Sequence, residues 1–138
     1  MTTHRGDLFD PRCPTRQILD RLGTKWTSMI ITVLAAAEPG EVRFAELRRR
    51  MPGVSAKMLS TTLKELVADG LVGRAVLDTV PPQVSYRLTP LGRSLVGPLA
   101  VLRDWAEAHA AEIDDHRARG GDAAARARLD HRSGSSST

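Results

Sequence analysis

The sequence is poor in cysteine and aromatic residues, and it has no long apolar run. Only one of its 138 residues is a cysteine, Cys13, so no disulfide can form within the chain and nothing requires an oxidising compartment. No stretch approaches the roughly 18 apolar residues that a membrane-spanning helix needs. Residues 1–14 lack the apolar core of a secretion signal. We therefore expect a cytoplasmic protein with no membrane partner.

Residue patterns that support catalysis are also lacking. No serine or threonine comes with a His–Asp pair that could activate it, and no glycine-rich phosphate loop occurs. His109 and His116 lie seven residues apart on one predicted helix face, but no further residue nearby completes a metal-ligand spacing. We predict no catalytic residues, no metal site and no cofactor.

The charges of the chain are strongly polarised along the sequence. Residues 43–64 contain six basic residues and one acidic residue, a net charge of +5, whereas residues 103–116 carry −4 and residues 117–138 carry +3. A basic stripe confined to one segment is typical of a surface that binds phosphate groups. A solvated helix surface can have the same composition, so charge alone leaves both interpretations open.

Apolar periodicity and turn residues predict helices, then a β-hairpin, then a long final helix. A thin arm, residues 1–12, precedes them, and an Arg/Ala/Gly/Ser-rich tail that we expect to be disordered, residues 116–138, follows. The final helix is expected to kink at Pro98. The predicted helices cover Pro14–Leu22, Trp26–Ala37, Phe44–Arg50, a segment from the Ser55 cap to Asp69, and Pro90 to about Asp114; the strands cover 71–78 and 84–88.

This order of elements predicts a winged helix-turn-helix, a mainly α fold (α+β) with a β-hairpin wing, over residues 13–115. On the helix after Ser55, leucines recur on one side, and short hydroxyls with lysines fall within an arc of about 100° on the other. Such a face suits a DNA major groove about 12 Å wide. The same fold can instead serve as a protein-interaction module. The predicted DNA-contacting residues are Arg43, Ser55, Lys57, Met58, Ser60, Thr61, Lys64, Arg74, Pro82 and Gln83, with Arg48, Arg49 and Arg50 along the phosphates.

Several short motifs, in order from Cys13 to about Trp105, resemble the HxlR family of bacterial transcriptional regulators. They include Gly23-Thr24-Lys25-Trp26, Arg43-Phe44-Ala45-Glu46-Leu47, Gly53-Val54-Ser55-Ala56-Lys57-Met58-Leu59, Asp69-Gly70-Leu71-Val72, Val80-Pro81-Pro82-Gln83-Val84 and Tyr86-Arg87-Leu88-Thr89. The resemblance implies a homodimer, related in fold to the MarR group, that binds double-stranded DNA at a palindromic operator, as a repressor. It further implies that the N-terminal and C-terminal helices pack between subunits. The expected dimer contacts are Leu19, Leu95, Leu99, Leu102 and Trp105.

The sequence departs from the family pattern in its wing. Gln83 and Ser85 stand where the family commonly has Arg and Glu. Gln83 cannot supply the cation that a narrow minor groove attracts, so we expect a weaker or differently selective wing contact. Beyond the family pattern, the arginines of the tail either add non-specific DNA affinity or have no role.

Cys13 is the candidate regulatory residue. It precedes Pro14 at a predicted helix start between Arg12 and Arg16, where the helix dipole and the cations favour thiolate. The resemblance implies that such a cysteine senses an electrophile or oxidant. The alternative for Cys13 is a small residue that fills the dimer interface.

An alternative for the whole protein is a regulator whose DNA binding is controlled by a small molecule in the dimer cleft.

Overall fold

The computed structural model describes residues 8–133, with side chains described outside 122–125 and 130–133. The chain divides into two units between Leu99 and Ala100. In chain order the elements are α1 (Pro14–Leu22), α2 (Lys25–Ala36), β1 (Val42–Arg43), α3 (Phe44–Arg49), α4 (Ala56–Ala68), β2 (Val72–Leu77), β3 (Gln83–Leu88), α5 (Pro90–Arg93) and α6 (Val96–Ser133).

The sheet of the first unit is antiparallel, with the strand order β1-β3-β2. Strands β2 and β3 form the predicted hairpin, in which Val72 faces Leu88 and Leu77 faces Gln83. Strand β1 adds to the other edge of β3, where Val42 faces Tyr86. This third strand was not predicted, because two residues are too few to show an alternating pattern.

Leucine and isoleucine side chains of α2 and α4 form the centre of the core of the first unit. Ile30, Ile31 and Leu34 of α2 are almost fully buried, as are Leu59, Leu63 and Leu66 of α4. Val72, Tyr86 and Leu88 of the sheet join the same cluster. The predicted fold class, a mainly helical winged helix-turn-helix with a small antiparallel wing, is confirmed.

The prediction of one continuous final helix kinked at Pro98 is wrong. Helix α5 ends at Arg93, and α6 begins at Val96. Pro98 therefore lies in the first turn of α6 rather than in a helix interior. A backbone N–H in the first turn has no partner within its helix, so the missing N–H of proline costs no hydrogen bond there.

The second unit consists of the rest of α6, whose backbone is helical as far as Ser133. This differs from the expectation of a disordered tail from residue 116. Alanine and arginine, which dominate that segment, have high helix propensities, and no proline interrupts it. The last five residues of the tail and residues 1–7 of the arm lie outside the described residues. Among the helices described, none is both long and apolar enough to span a membrane.

Gly92 sits where a backbone passes too closely for any side chain. A Cβ atom at this position would lie 2.9 Å from the carbonyl carbon of Leu71, and closer still to its oxygen. The same Leu71 oxygen accepts a hydrogen bond from the Thr89 N–H at 3.2 Å, so the backbone of Leu71 is fixed against the start of α5. Only glycine allows this approach.

We expect Gly92→Ala to lower the free energy of unfolding by about 2–3 kcal/mol, because the added methyl group must displace the Leu71 backbone. The measurement is urea denaturation followed by circular dichroism. Gly97→Ala is the matched control, since nothing lies within 4 Å of a Cβ there. That control should leave stability unchanged or raise it by up to about 1 kcal/mol. Equal effects of the two substitutions would contradict the close approach.

Candidate nucleic-acid interface

Helix α4 presents a polar, basic face to solvent. Ser55 caps the helix, its side chain accepting a hydrogen bond from the Met58 N–H at 3.0 Å. Gly70, at φ +77°, follows the helix in the left-handed conformation that favours glycine. Because the leucines of α4 are buried on one side, the opposite side is exposed, and it carries Lys57, Ser60, Thr61 and Lys64. The structure therefore places these four predicted residues on one accessible surface.

A groove lies between α4 and the wing, and we call it the wing groove. Five of the predicted DNA-contacting residues line it. It is lined by Arg43, Ser60, Arg74, Pro82 and Gln83, together with Phe44, Ala45, Val84 and Tyr86. These residues come from different elements that are distant in sequence. The two arginines make the groove positive, since no carboxylate lines it. Such a surface fits a phosphate backbone passing between the helix and the wing.

A second groove, of about 460 Å³, lies on the other side of α4 against α1 and α2, and we call it the α1 groove. Met58 and Thr61 line this groove, not the wing groove. Lys57 and Lys64 line neither groove and stand exposed between them. The predicted set thus divides across the helix, with Ser60 towards the wing, the lysines in the middle, and Met58 and Thr61 towards α1.

The arginines at the end of α3 differ in their surroundings. Arg49 forms an ion pair with Glu46 one turn earlier, which partly neutralises its charge. Arg48 and Arg50 are exposed and form no ion pair with any carboxylate whose side chain the structure describes. Of the three arginines predicted to follow the phosphates, these two keep their full charge available.

Ser85, one of the two departures in the wing, does not face outward. Its side chain is buried, and the hydroxyl donates to Glu41 Oε2 at 2.6 Å. Glu41 Oε1 accepts from Arg87 Nη1 at 3.3 Å. Glu41 precedes β1, so this triad fixes β1 against β3 and sets the position of Arg43 at the wing groove. Sequence reasoning missed Glu41, because only the strand register brings it to Ser85.

Cys13 occupies the N-cap position of α1 and is buried, with 7% of its surface exposed. Its N–H donates to the Asp10 carbonyl oxygen at 3.0 Å, and its own carbonyl accepts from the Arg16 N–H at 3.1 Å. The predicted start of the first helix at Pro14 agrees with the structure. The thiol is therefore held at a defined position rather than in a loose arm.

The five predicted dimer contacts divide into covered and uncovered residues. Leu99 is buried in the core of its own chain, and Leu95 packs partly against that core, so both are occupied within one subunit. Leu19, Leu102 and Trp105 are about half exposed. Trp105 stacks on His109 with ring centroids 4.6 Å apart.

In the described part of the chain, no three His, Cys, Asp or Glu residues are grouped as a metal site would require.

Comparison with known proteins identifies the protein family and its functional class. The profile of the HxlR-like helix-turn-helix family matches residues 21–114. The uncharacterized HTH-type transcriptional regulator YtfH of Escherichia coli (strain K12) is 40% identical over 108 residues, which cover 78% of this chain and 83% of that protein. A solved structure of YtfH from Salmonella typhimurium, 39% identical, has a TM-score of 0.73 and is matched over 81% of this chain and 97% of its own.

A third similar protein is the redox regulator HypR, solved in its reduced form. It is 35% identical, with a TM-score of 0.63, over 74% of this chain and 98% of its own. The matched family is described as HxlR-like helix-turn-helix, and YtfH is named as an HTH-type transcriptional regulator. The profile match spans most of the chain and includes α4 and the wing. The chain therefore belongs to the HxlR-like helix-turn-helix family of transcriptional regulators.

Proposed function

We propose that this protein is a sequence-specific DNA-binding regulator that acts as a homodimer on a palindromic operator and represses transcription. The observation that carries the proposal is the exposed face of α4, whose lysines and hydroxyls stand beside a groove lined by Arg43 and Arg74. Lysine reaches guanine edges and phosphates, and serine and threonine bond to either. A dimer seated on two successive major grooves, roughly 34 Å apart, would cover promoter DNA and block its use.

In this arrangement the exposed face of α4, the wing groove and the wing tip each contact a different part of the DNA. Lys57 and Lys64 project from the middle of the exposed face and enter the major groove or reach its rims. Arg43 and Arg74 hold the phosphate backbone in the wing groove. At the wing tip, Val80 is fully exposed and Pro82 is also exposed, whereas Gln83 is partly covered. The wing thus offers an apolar tip to the adjacent minor groove rather than a cation.

We expect Lys57→Ala and Lys64→Ala each to lower affinity for a duplex enriched from a random library by about tenfold, because each removes roughly one charged hydrogen bond to DNA. The slope of log affinity against log salt should fall by about 0.9 for each phosphate that the variant no longer neutralises. Fluorescence anisotropy over a salt series measures both quantities. Arg93→Ala is the matched control, because Arg93 is exposed and basic but is paired with Glu38 away from α4.

Two results would count against this assignment of α4. One is unchanged affinity in both lysine variants when circular dichroism shows that they fold. The other is a wild-type protein that enriches no duplex at any salt concentration, which would favour a protein-interaction module instead.

The homodimer is proposed from apolar side chains that one chain leaves uncovered. On α6, Leu102, Trp105 and Ile113 fall within an arc of about 80° and are 59%, 55% and 36% exposed. On α1, Ile18 and Leu19 are each 48% exposed. Half-exposed leucine and tryptophan in rows indicate a partner surface. A second copy of the same chain presents the same residues, so two-fold pairing would cover such a surface on both subunits.

We expect Trp105→Glu to convert the dimer to a monomer, because a carboxylate would be placed at the centre of the apolar row. Sedimentation velocity measures the mass in solution. Ala111→Glu is the matched control, since it adds the same charge to the exposed opposite side of α6 and should leave the dimer intact. A wild-type protein that sediments as a monomer, or a Trp105→Glu variant that remains dimeric, would contradict the proposed interface.

We further propose that an electrophile or oxidant acting at Cys13 controls DNA binding. The thiol lies at the N-terminal end of α1, which also carries part of the proposed dimer surface, so modification there would disturb the pairing of subunits. The similarity to the redox regulator HypR supports this proposal. With one cysteine per chain, an oxidant that takes two electrons can form either a sulfenic acid or a disulfide between the Cys13 residues of two subunits.

We expect diamide to lower the operator affinity of the wild-type protein and to leave Cys13→Ser unaffected, because only the thiol can react. Anisotropy before and after treatment measures the change, and restoration by dithiothreitol shows that it is reversible. Non-reducing electrophoresis distinguishes a disulfide between subunits from a modification within one chain. Identical responses of the two proteins would leave Cys13 with only a packing role.

A further inference from the structure

Helix α1 is attached to its unit with little apolar burial. None of its residues is buried. Leu22, at its last position, packs partly against the core, whereas Ile18 and Leu19 remain half exposed. A nine-residue helix with so little covered surface needs polar contacts to hold its position. Those contacts converge on Arg21.

The side chain of Arg21 joins α1 to the second half of α4. Its guanidinium forms an ion pair with Asp69, and its Nε lies 3.6 Å from Glu65 Oε2. All three side chains are half exposed or less, so solvent screens them only partly. The hydrogen bond to Asp69 raises the pKa of Arg21, which remains charged. The planar guanidinium can hold both carboxylates at once, which an ammonium does less well.

The backbone of Arg21 is also held, in this case by α2. Its carbonyl oxygen accepts hydrogen bonds from Thr27 Oγ1 at 3.1 Å and Thr24 Oγ1 at 3.4 Å. Thr27 is fully buried, and Thr24 is the N-cap of α2. One residue therefore connects three helices, by its carbonyl to α2 and by its guanidinium to α4.

The contact on α4 lies close to the face that we assign to DNA. Glu65 follows Thr61 by one helical turn, and Met58, Thr61 and Glu65 line the α1 groove together with Arg21. Since helices move as rigid elements, a shift of α1 that carries Arg21 along pulls on α4 beside these residues. The exposed face of α4 would then change its tilt.

We propose that Arg21 is a positioning residue that sets the orientation of α4 for DNA and transmits movements of α1 to it. This rests on the proposed function, because it presumes that α4 binds DNA. It gives Cys13, at the opposite end of α1, a route to the DNA-binding surface within one chain. Arg21 itself touches no base or phosphate in this scheme.

The experiment compares full-length wild-type protein with Arg21→Gln, Asp69→Asn, the double variant and Arg21→Lys. Arg93→Gln is the matched control, because it also breaks an ion pair, in this case between α5 and Glu38 in the turn after α2. Amide hydrogen exchange followed by mass spectrometry reports on α4 without DNA. Anisotropy with a duplex enriched by the wild-type protein gives affinity and its salt slope.

We expect Arg21→Gln to speed exchange in α4 and to lower affinity about fivefold to tenfold, with the salt slope unchanged. The double variant should lose no more affinity than Arg21→Gln alone, because both changes break the same link. Arg21→Lys should recover part of the loss. Arg93→Gln should have neither effect.

Three outcomes would overturn the proposal: unchanged affinity in Arg21→Gln, additive losses in the double variant, or a salt slope reduced by about 0.9, which would make Arg21 a phosphate contact. If the wild-type protein enriches no duplex, the proposed function fails. The connection between Arg21 and α4 is then tested by amide hydrogen exchange in α4 alone. An unchanged exchange rate in α4 of the Arg21→Gln variant would overturn that connection as well.

Discussion

The burial of one side of α4 is the constraint on which the rest of this structure depends. Leu59, Leu63 and Leu66 are covered almost completely by α2 and the sheet. Each fully buried leucine contributes about 1.5–3 kcal/mol. Turning the helix would expose these residues and bury two lysines without partners, so its rotation about its own axis is fixed. The lysines and hydroxyls of the opposite side are exposed as a direct result.

The sheet supplies what the helix alone cannot, a second wall beside the exposed face. Strand β1 contributes only two residues, yet the bonds from Ser85 and Arg87 to Glu41 hold the start of this strand against β3. Arg43 is thereby placed on the same groove as Arg74 and Ser60. The contacts of Glu41 with the buried Ser85 and with Arg87 thus help to arrange the cations that we assign to the phosphates. The departure at position 85 belongs to this support and not to the outer surface of the wing.

The two sides of α4 also connect it to different parts of the protein. On the wing side its neighbours are cations without carboxylates. On the α1 side its neighbours are polar, and Arg21 pairs there with Glu65 and Asp69. The first arrangement suits binding and the second suits control, because α1 has little apolar anchorage and carries the only thiol.

By itself the sequence determined the elements with a clear period and clear end signals. The leucine spacing of α4, its Ser55 cap and Gly70, and the alternation in β3 all follow from local rules, and so does the identity of the exposed face. The alanine and arginine content after residue 116 also supports helix, although reading it as low complexity led to the opposite expectation. There, the local propensities predicted the structure better than the composition did.

Only the tertiary structure decided the features that join distant residues. Strand β1 exists because β3 offers a free edge, and the Glu41–Ser85 and Arg21–Asp69 contacts span 44 and 48 positions. It also decided that Leu99 belongs to the core whereas Leu102 and Trp105 remain open, although all three continue one leucine-rich pattern. Periodicity records which side of an element is apolar. It does not record what covers that side, because coverage depends on how elements pack in space.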